Sequence, residues 1–345
     1  MKRMIPSILA LLAGLLTITV MIAVTSDTPL SSLASFFAKP FSSWWELGNM
    51  LNIAGLLLFA ATGSAFALRA GTFNLGGEAQ IYAPALITAI ILSSASPLTP
   101  WGAEGTFALA LAAAAASGAL LGFIPGILKA RFRISELLTS FLLSAALIPV
   151  IDFLVSGPLR DQKKNLLATP AIDTAFRIAP FLKPSYFNVS FFIAASLSLL
   201  TALFFKYTAP GYRLRLTGTA PEFALFAGLP VQKASVAGMT VSGIFHALTG
   251  FFSITGTWYM CHNGFSSGMG WSALAIALIA RQNLFALIPA SLLYAWLQSA
   301  SDEAVLSTRF SFDSTALVQA VIFLLISARV FPVLFPNFAR KRRTR

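Results

Sequence analysis

The sequence predicts an all-α, polytopic membrane protein, and three observations support this fold class. Of its 345 residues, 57% are hydrophobic and only 10% are charged, whereas soluble domains carry about 25% charged residues. The mean hydropathy is +0.79. The apolar residues form runs of roughly 20, the length that a helix needs to cross a bilayer. We therefore treat residues 1–345 as a single transmembrane domain.

The predicted spans follow these apolar runs along the chain. The first run, 5–25, exceeds the apolar core of a signal peptide, which is about 7–15 residues long. We interpret it as an uncleaved first span, with a cleaved signal as the alternative. Segment 269–280 is apolar but too short to cross alone, and counting it as a partial span gives about ten transmembrane segments. The remaining spans are expected at 47–68, 78–95, 105–128, 134–156, 186–206, 234–256, 284–300 and 314–331.

The distribution of charge supports this count and limits the function. Most of the 24 Lys and Arg residues fall on one side of the predicted spans, which places both termini in the cytoplasm and the loop 157–185 outside. The net charge of +12 does not indicate nucleic-acid binding, because the basic residues form short clusters. One cysteine and two histidines give no disulfide framework and no metal-site spacing, so we expect no metal and no cofactor.

The segment "AGTFNLGGEAQ" (70–80) places polar side chains and glycines between two apolar runs. An ordinary cytoplasmic turn would explain it. We expect Asn74 and Glu78 to satisfy backbone amides at the start of the following helix. The alternative is a bent connection beside a transport pathway, where glycines allow close backbone approach. The candidate pathway residues here are Asn74, Gly76, Gly77, Glu78 and Gln80.

A second interruption, "GTWYMCHNGFSSGMG" (256–270), precedes the short segment 269–280. Each half of the chain then holds five crossings, so a repeat between the halves must be inverted. The two Gly-rich interrupted helices occupy corresponding places in the halves, a pattern typical of transporter binding sites near the membrane midplane. Identity between the halves is low, and the 5+5 inverted repeat is a hypothesis. Gly268 and Gly270 join the candidate pathway residues.

Two further local patterns predict contacts. Gly118, Gly122 and Gly126 form a stripe along one helical face, which predicts close helix packing. Between spans 6 and 7, "TAPEFALFAGLP" (219–230) has the punctuation of a small helix that lies on the membrane surface or docks into another protein. In that segment Pro221 suits the first helical position, Glu222 complements the positive helix end and Gly228 suits a left-handed end. Its apolar residues include Phe223 and Phe226.

Four blocks carry a family resemblance: "FNLGGEAQ" (73–80) and the segments 122–144, 211–250 and 268–300. Together they resemble the permease subunits of bacterial ABC importers of the nucleoside and simple-sugar family, and they are similar also to riboflavin importer permeases. The resemblance implies a multi-pass protein of the bacterial inner (cytoplasmic) membrane. It also implies cytoplasmic ATPase subunits, a second, paralogous permease subunit and an extracytoplasmic substrate-binding lipoprotein, with membrane lipid around them. Residues 219–229 would be the coupling helix.

The resemblance implies a permease without catalytic residues of its own. No Gly-Lys pair occurs in the sequence, so there is no P-loop and ATP hydrolysis must come from a partner. Ala79, Ser144 and "LIARQN" (278–283) depart from the family pattern and leave the cargo open among nucleosides, riboflavin and sugars. The spans hold no charged cluster, which fits a neutral solute moved inward by alternating access.

The alternative function is an ion- or proton-coupled secondary transporter of a small solute. That class uses an acidic or histidine relay within its spans. Glu136 is a candidate pathway residue, and it is also one of the four residues that are available for such a relay: Glu78, Glu136, Asp152 and His246. A membrane enzyme is a third class, but the sequence offers no clustered catalytic set.

Overall fold

The structure, a computed structural model, describes residues 28–95, 102–281 and 283–307 together with part of 16–26. Its contacts divide the chain into two units, Met1–Glu46 with Trp296–Arg345, and Leu47–Ala295. In the first unit, the rings of Phe36 and Phe37 lie 6.3 and 5.8 Å from the ring of Trp296. The second unit holds most of the helices and both interrupted segments.

The described residues form helices joined by turns and one long loop, and the β pairing among them is a single bridge between Ala168 and His262. The helix Val231–Ser253 continues into a π-helical turn, Ile254–Trp258. In chain order the helices are α1 (Pro29–Ala38), α2 (Trp44–Arg69), α3 (Gly77–Ser94), α4 (Gly102–Phe132), α5 (Glu136–Ser156), α6 (Ser190–Tyr207), α7 (Ala209–Thr219), α8 (Pro221–Phe226), α9 (Val231–Ser253), α10 (Met269–Ile279) and α11 (Leu287–Ser307).

Six segments of the described chain are long and apolar enough to cross a membrane: α2, α4, α5, α6, α9 with its π turn, and Leu284–Asp302. Each coincides closely with a predicted span. The α3 helix is as long as α6, with 18 residues. Its mean hydropathy is lower because Glu78 and Gln80 lie in its first turns. The α10 helix has 11 residues, as expected for a partial span. Span 314–331 and most of 5–25 lie outside the described residues, so the ten-segment count and the inverted repeat stay predictions.

The α4 and α9 helices pack through the predicted glycine stripe. The α-carbon of Gly118 faces the backbone of Gly243, and Gly243 faces Gly118 in return. A Cβ built on Gly126 would lie only 3.1 Å from the Cα of Val236. Residue numbers rise along α4 while their partners' numbers fall along α9, so the two helices are antiparallel. The packing role predicted for the stripe is confirmed, and it brings the two backbones into contact as small residues do in membranes.

The α7 helix was not predicted, because its sequence carries Pro210 and two glycines, which disfavour a helix. It begins where the side chain of Thr208 accepts a hydrogen bond from the N–H of Gly211 at 3.1 Å. Pro210 lies in its first turn, where a missing N–H costs nothing. The α-carbon of Gly211 packs directly against the backbone of Phe204 in α6. Helix α7 therefore folds back on α6 and leads to α8.

Candidate functional site

The two interrupted segments meet at the N-termini of α3 and α10. A Cβ built on Gly270 would lie 2.5 Å from the backbone nitrogen of Glu78 and 2.6 Å from the carbonyl carbon of Gly77. Backbone atoms cannot move aside as a flexible side chain can, so residue 270 must be glycine for this approach. The paired breaks predicted from the sequence therefore form one site in space.

Glu78 joins the two helices at this point. Its Oε1 accepts the N–H of Gly270 at 2.8 Å and the N–H of Trp271 at 3.2 Å. The first N–H groups of a helix have no partner within it and carry partial positive charge. Glu78 was expected to satisfy the start of its own helix; it caps α10 instead.

The Glu78 carboxylate is buried, with 7% of the residue exposed. The ion pairs recorded among the described residues do not include it. A buried carboxylate requires polar partners, and here backbone N–H groups supply them. The negative charge lies at the positive ends of two helices, its own α3 and the capped α10, which is an electrostatically favourable position.

Asn74 makes hydrogen bonds within the first interrupted segment (70–80), which we call the first break; the second break is segment 256–270. Its Oδ1 accepts the N–H of Gly76 at 2.9 Å, which closes a local turn. Its Nδ2 donates to Oε1 of Gln80 at 2.7 Å and to Oγ of Ser242 at 2.9 Å. Asn74, Gln80 and Ser242 are all buried. Asn74 was expected to cap α3, but the N-terminus of α3 has no side-chain cap; Asn74 instead closes the turn before it and ties the break to α9.

His246 lies one turn further along α9 and fills the space beside Gly77. Its Nδ1 is 2.7 Å from the carbonyl oxygen of Ser242; a carbonyl oxygen only accepts, so Nδ1 donates. Its Nε2 is 3.4 Å from Oγ of Ser64 in α2. A Cβ on Gly77 would lie 2.9 Å from Nε2, so a side chain at residue 77 would displace the ring.

Three side chains of α5 hold the backbone of the first break. Glu136, Ser140 and Ser144 are spaced four residues apart, so they share one helical face. They accept, in order, the N–H groups of Phe73 (3.3 Å), Leu75 (3.0 Å) and Ala79 (3.1 Å). Sequence reasoning singled out Glu136 and missed the roles of both serines. Their spacing was the available signal.

Glu136 also forms an ion pair at the edge of this face. Its Oε1 lies 2.6 Å from Nζ of Lys129 in α4. The same Nζ donates to the carbonyl oxygen of Gly71 at 3.2 Å. Glu136 thus lies away from the Glu78–Gly270 contact and anchors the beginning of the first break to α4.

Backbone hydrogen bonds connect the second break to the loop between α5 and α6. This loop includes the predicted outer segment 157–185. The guanidinium of Arg177 also lies 4.7 Å from the centre of the Tyr259 ring. The backbone bonds join Thr169 to Cys261 (2.9 Å), Ile172 to Tyr259 (2.8 Å), Ile178 to Thr255 (2.8 Å) and Asn263 to Leu167 (2.9 Å).

Asp152 and Tyr82 form hydrogen bonds to His262 and Gly264 of the second break. The Tyr82 hydroxyl donates to Oδ1 of Asp152 at 2.6 Å and approaches the carbonyl oxygen of His262 at 3.1 Å. The N–H of Gly264 donates to the same Asp152 oxygen at 3.1 Å. Asp152 therefore has structural partners on α3 and on the loop.

The α8 helix forms a small apolar knob. Pro221 occupies its first turn and Glu222 follows, and Gly228 has the expected left-handed backbone with φ +73°. Phe223 is 62% exposed and Phe226 is 94% exposed. The predicted helix at 219–229 is confirmed with narrower bounds, and its large apolar side chains face outward.

Comparison with known proteins decides the family. The profile described as branched-chain amino acid transport system / permease component matches residues 47–328, which includes both breaks and α8. The chain belongs to this permease family. The resemblance inferred from the four sequence blocks is confirmed.

Several curated relatives align over almost the whole permease. The probable riboflavin import permease protein RfuC of Treponema pallidum (strain Nichols) is 41% identical over 333 residues, which cover 95% of this permease and 86% of RfuC. The guanosine ABC transporter permease NupP of Bacillus subtilis (strain 168) is 25% identical, covering 95% and 94% of the two chains. The nucleoside ABC transporter permease NupB of Lactococcus lactis is 24% identical, covering 86% and 84%. No solved structure matches the permease.

Proposed function

We propose that this permease is the transmembrane subunit of an ATP-binding-cassette importer that moves riboflavin inward. The observation that carries the proposal is the 41% identity to the riboflavin import permease RfuC over 95% of this chain. A nucleoside is the second candidate cargo, favoured by the 25% identity to the guanosine permease NupP over the same share. Both cargos are neutral and carry a flat heteroaromatic ring with a polyhydroxylated chain or sugar.

The joined breaks support alternating access as the mechanism. Broken helices tolerate irregular backbone within a membrane when they line a cavity or are buried in protein. Here Glu78 links the start of α3 to the start of α10, so a movement of one half-helix displaces the other. We propose that Asn74, Gly76, Gly77, Glu78, Gln80, Gly268 and Gly270 shape the wall of the pathway, and that Glu136 anchors it.

The exposed knob on α8 supports an ATPase partner. Phe226 is 94% exposed, and clustered exposed apolar side chains mark interaction surfaces. We propose that Pro221, Glu222, Phe223, Phe226 and Gly228 form the coupling helix that docks into a cytoplasmic ATPase. The full importer would add a second, paralogous permease and a substrate-binding lipoprotein. The permease itself would have ten segments, an inverted 5+5 repeat and cytoplasmic termini.

Uptake of radiolabelled riboflavin tests the cargo. A riboflavin-auxotrophic bacterium without its own importer would express the permease with the ATPase, second permease and binding-protein genes of its locus. We expect riboflavin uptake that unlabelled guanosine does not inhibit. A variant of the ATPase that lacks its Walker lysine should abolish this uptake. Guanosine uptake without riboflavin uptake would establish the nucleoside candidate. Uptake that survives with the inactive ATPase would favour the ion-coupled alternative.

The coupling helix is tested in the same assembled importer. Phe226→Ala should lower both uptake and co-purification of the ATPase, because it removes the most exposed apolar contact of α8. Phe153→Ala, which truncates a 69% exposed phenylalanine of α5, is the matched control. Gly228→Val should also lower coupling through backbone strain alone, since no atom lies within 4 Å of the added Cβ. Normal uptake and ATPase binding by both α8 variants would argue against docking at this helix.

A further inference from the structure

A groove opens between the C-terminal end of α4 and the N-terminal end of α9. Its volume is about 550 Å³, within the range of small-molecule sites. Ile127, Val236 and Val241 form much of its apolar wall. The polar residues at its mouth are Arg131, Gln232 and Lys233.

The antiparallel packing of α4 and α9 explains where the groove lies. The backbones touch at Gly118 and Gly243 and remain close at Gly126 and Val236. The groove runs beside this contact, because its lining on α9 includes Val236, Ala237, Thr240 and Val241, next to the residues that touch Gly122 and Gly126. The groove extends along α9 from Lys233 to Val241, about 12 Å at 1.5 Å per residue. It therefore reaches from the end of the helix pair well into its apolar length.

The charges at the mouth are unbalanced. Arg131 and Lys233 are exposed, and within the described part of the chain neither forms an ion pair or a side-chain hydrogen bond with another residue. The neighbouring Lys129, by contrast, is paired with Glu136 at 2.6 Å. No residue lining the groove is acidic. Two cations above an apolar wall match a phosphate group that carries hydrocarbon chains.

We propose that this groove binds one anionic phospholipid. Arg131 and Lys233 hold its phosphate, and an acyl chain lies against Ile127, Val236 and Val241. Basic pockets between transmembrane helices bind anionic headgroups in this way. The long Arg and Lys side chains keep their charges at the interface while their stems cover apolar surface.

The length and apolar lining of the groove favour a lipid over a soluble partner. An ATPase that docks on α8 would cover the helix ends, whereas the groove continues for about 12 Å along α9 with Val236, Ala237 and Val241 in its lining. A neutral cargo would leave both cations without a counter-charge. An anionic lipid provides a phosphate for the two cations and a hydrocarbon chain for the apolar wall. Because α9 also carries Ser242 and His246, a bound lipid stabilises the helix that supports the first break.

Native mass spectrometry of the purified full-length permease tests this site, whatever the cargo proves to be. Detergent-solubilised protein is titrated with phosphatidylglycerol or with phosphatidylcholine. We expect one tightly bound phosphatidylglycerol per chain and at least about tenfold weaker retention of phosphatidylcholine, since each basic residue favours anionic lipid by about 1 kcal/mol. Excess inorganic phosphate should not displace the lipid. Displacement by phosphate, or equal retention of the two lipids, would overturn the proposal.

Two variants locate the lipid. R131Q/K233Q should lose the preference for phosphatidylglycerol, while the charge-preserving R131K/K233R retains it. K163Q/K164Q, which removes the same number of charges from the loop between α5 and α6, is the matched control. Val236→Trp fills the groove without changing charge and should also reduce retention. The proposal fails if folded R131Q/K233Q or folded Val236→Trp binds phosphatidylglycerol like the wild type.

Discussion

The two interrupted segments are held in different ways. Side chains fix the first, because Asn74 closes its turn and the α5 residues Glu136, Ser140 and Ser144 accept its N–H groups. Backbone hydrogen bonds to the loop between α5 and α6 hold residues 259–263 of the second, and side chains such as Asp152 and Tyr82 add bonds at His262 and Gly264. The first break should therefore respond sharply to substitution of polar side chains, and the second to changes that loosen the loop.

Both segments nevertheless converge on one contact. Glu78 of the first break caps the helix that follows the second, and Gly270 allows the two backbones to touch. The two breaks thus share one contact, between the Glu78 carboxylate and Gly270, which we call the joint. Three substitutions test the joint and the support of the second break.

The largest effect is expected for Glu78→Leu. Leucine removes the acceptor and leaves the N–H groups of Gly270 and Trp271 buried without a partner, at about 1–3 kcal/mol each. We expect uptake by the assembled importer to fall by at least about tenfold at normal membrane levels. Glu78→Gln keeps a carbonyl oxygen at the same place and should retain most uptake. Equal loss in both variants would show that the charge is required, which would favour a relay or a cargo contact.

Gly270→Ala should have the next largest effect. Its methyl group would overlap the backbone at Gly77 and Glu78, and overpacking of this kind costs about 1–3 kcal/mol. Gly268→Ala is the control, because residue 268 has φ +80° but no atom within 4 Å of an added Cβ. We expect riboflavin uptake to fall further for Gly270→Ala than for Gly268→Ala. The reverse order would mean that backbone conformation at residue 268, rather than close approach at 270, controls the joint.

The smallest expected effect concerns the second break and is measured by chemical labelling of Cys261. Cys261 is the only cysteine in the sequence and is fully buried. Burial, reinforced by the charge of Asp152, raises the pKa of its thiol above the ordinary value. Because the thiolate is the reactive form, maleimide labelling should be slow at neutral pH and should accelerate only above the usual thiol range.

Thr169→Val sharpens that measurement. The Thr169 hydroxyl accepts the N–H of Cys261 at 3.1 Å, and its loss costs roughly 1 kcal/mol. We expect labelling at pH 8 to rise by about fivefold as the loop opens more often. Thr174→Val, on the exposed part of the same loop, should leave the rate unchanged. Unaltered labelling in Thr169→Val would show that the backbone bonds alone hold the break.

Local rules predicted the elements whose contacts lie nearby in the sequence. The stripe at Gly118, Gly122 and Gly126, the turn at Asn74 and the left-handed Gly228 all follow from short-range spacing or backbone preference. The acceptor role of Glu78 did not follow, because its partners lie 192 and 193 residues away. A carboxylate in a first turn favours its own helix equally well, and only the three-dimensional arrangement shows which helix it caps.

The second break and α7 illustrate the same limit. Pairing between the loop 167–178 and residues 255–263 uses backbone groups, which every residue carries, so side-chain identity gives no signal of it. In α7, Pro210 and the two glycines disfavour a helix, but the packing of Gly211 against α6 stabilises one. Tertiary contacts override propensity in such segments.

The exposure of α8 has a consequence for the life of the subunit before assembly. Phe223, Leu225 and Phe226 are 62%, 69% and 94% exposed, so the chain alone presents an apolar patch that the proposed ATPase partner would cover. Such patches favour aggregation and attract the chaperones and proteases that triage incomplete proteins. On the docking role proposed for α8, supply of the ATPase would set how long each copy survives. The three side chains proposed to transmit force in a finished importer would then also limit the number of unassembled copies.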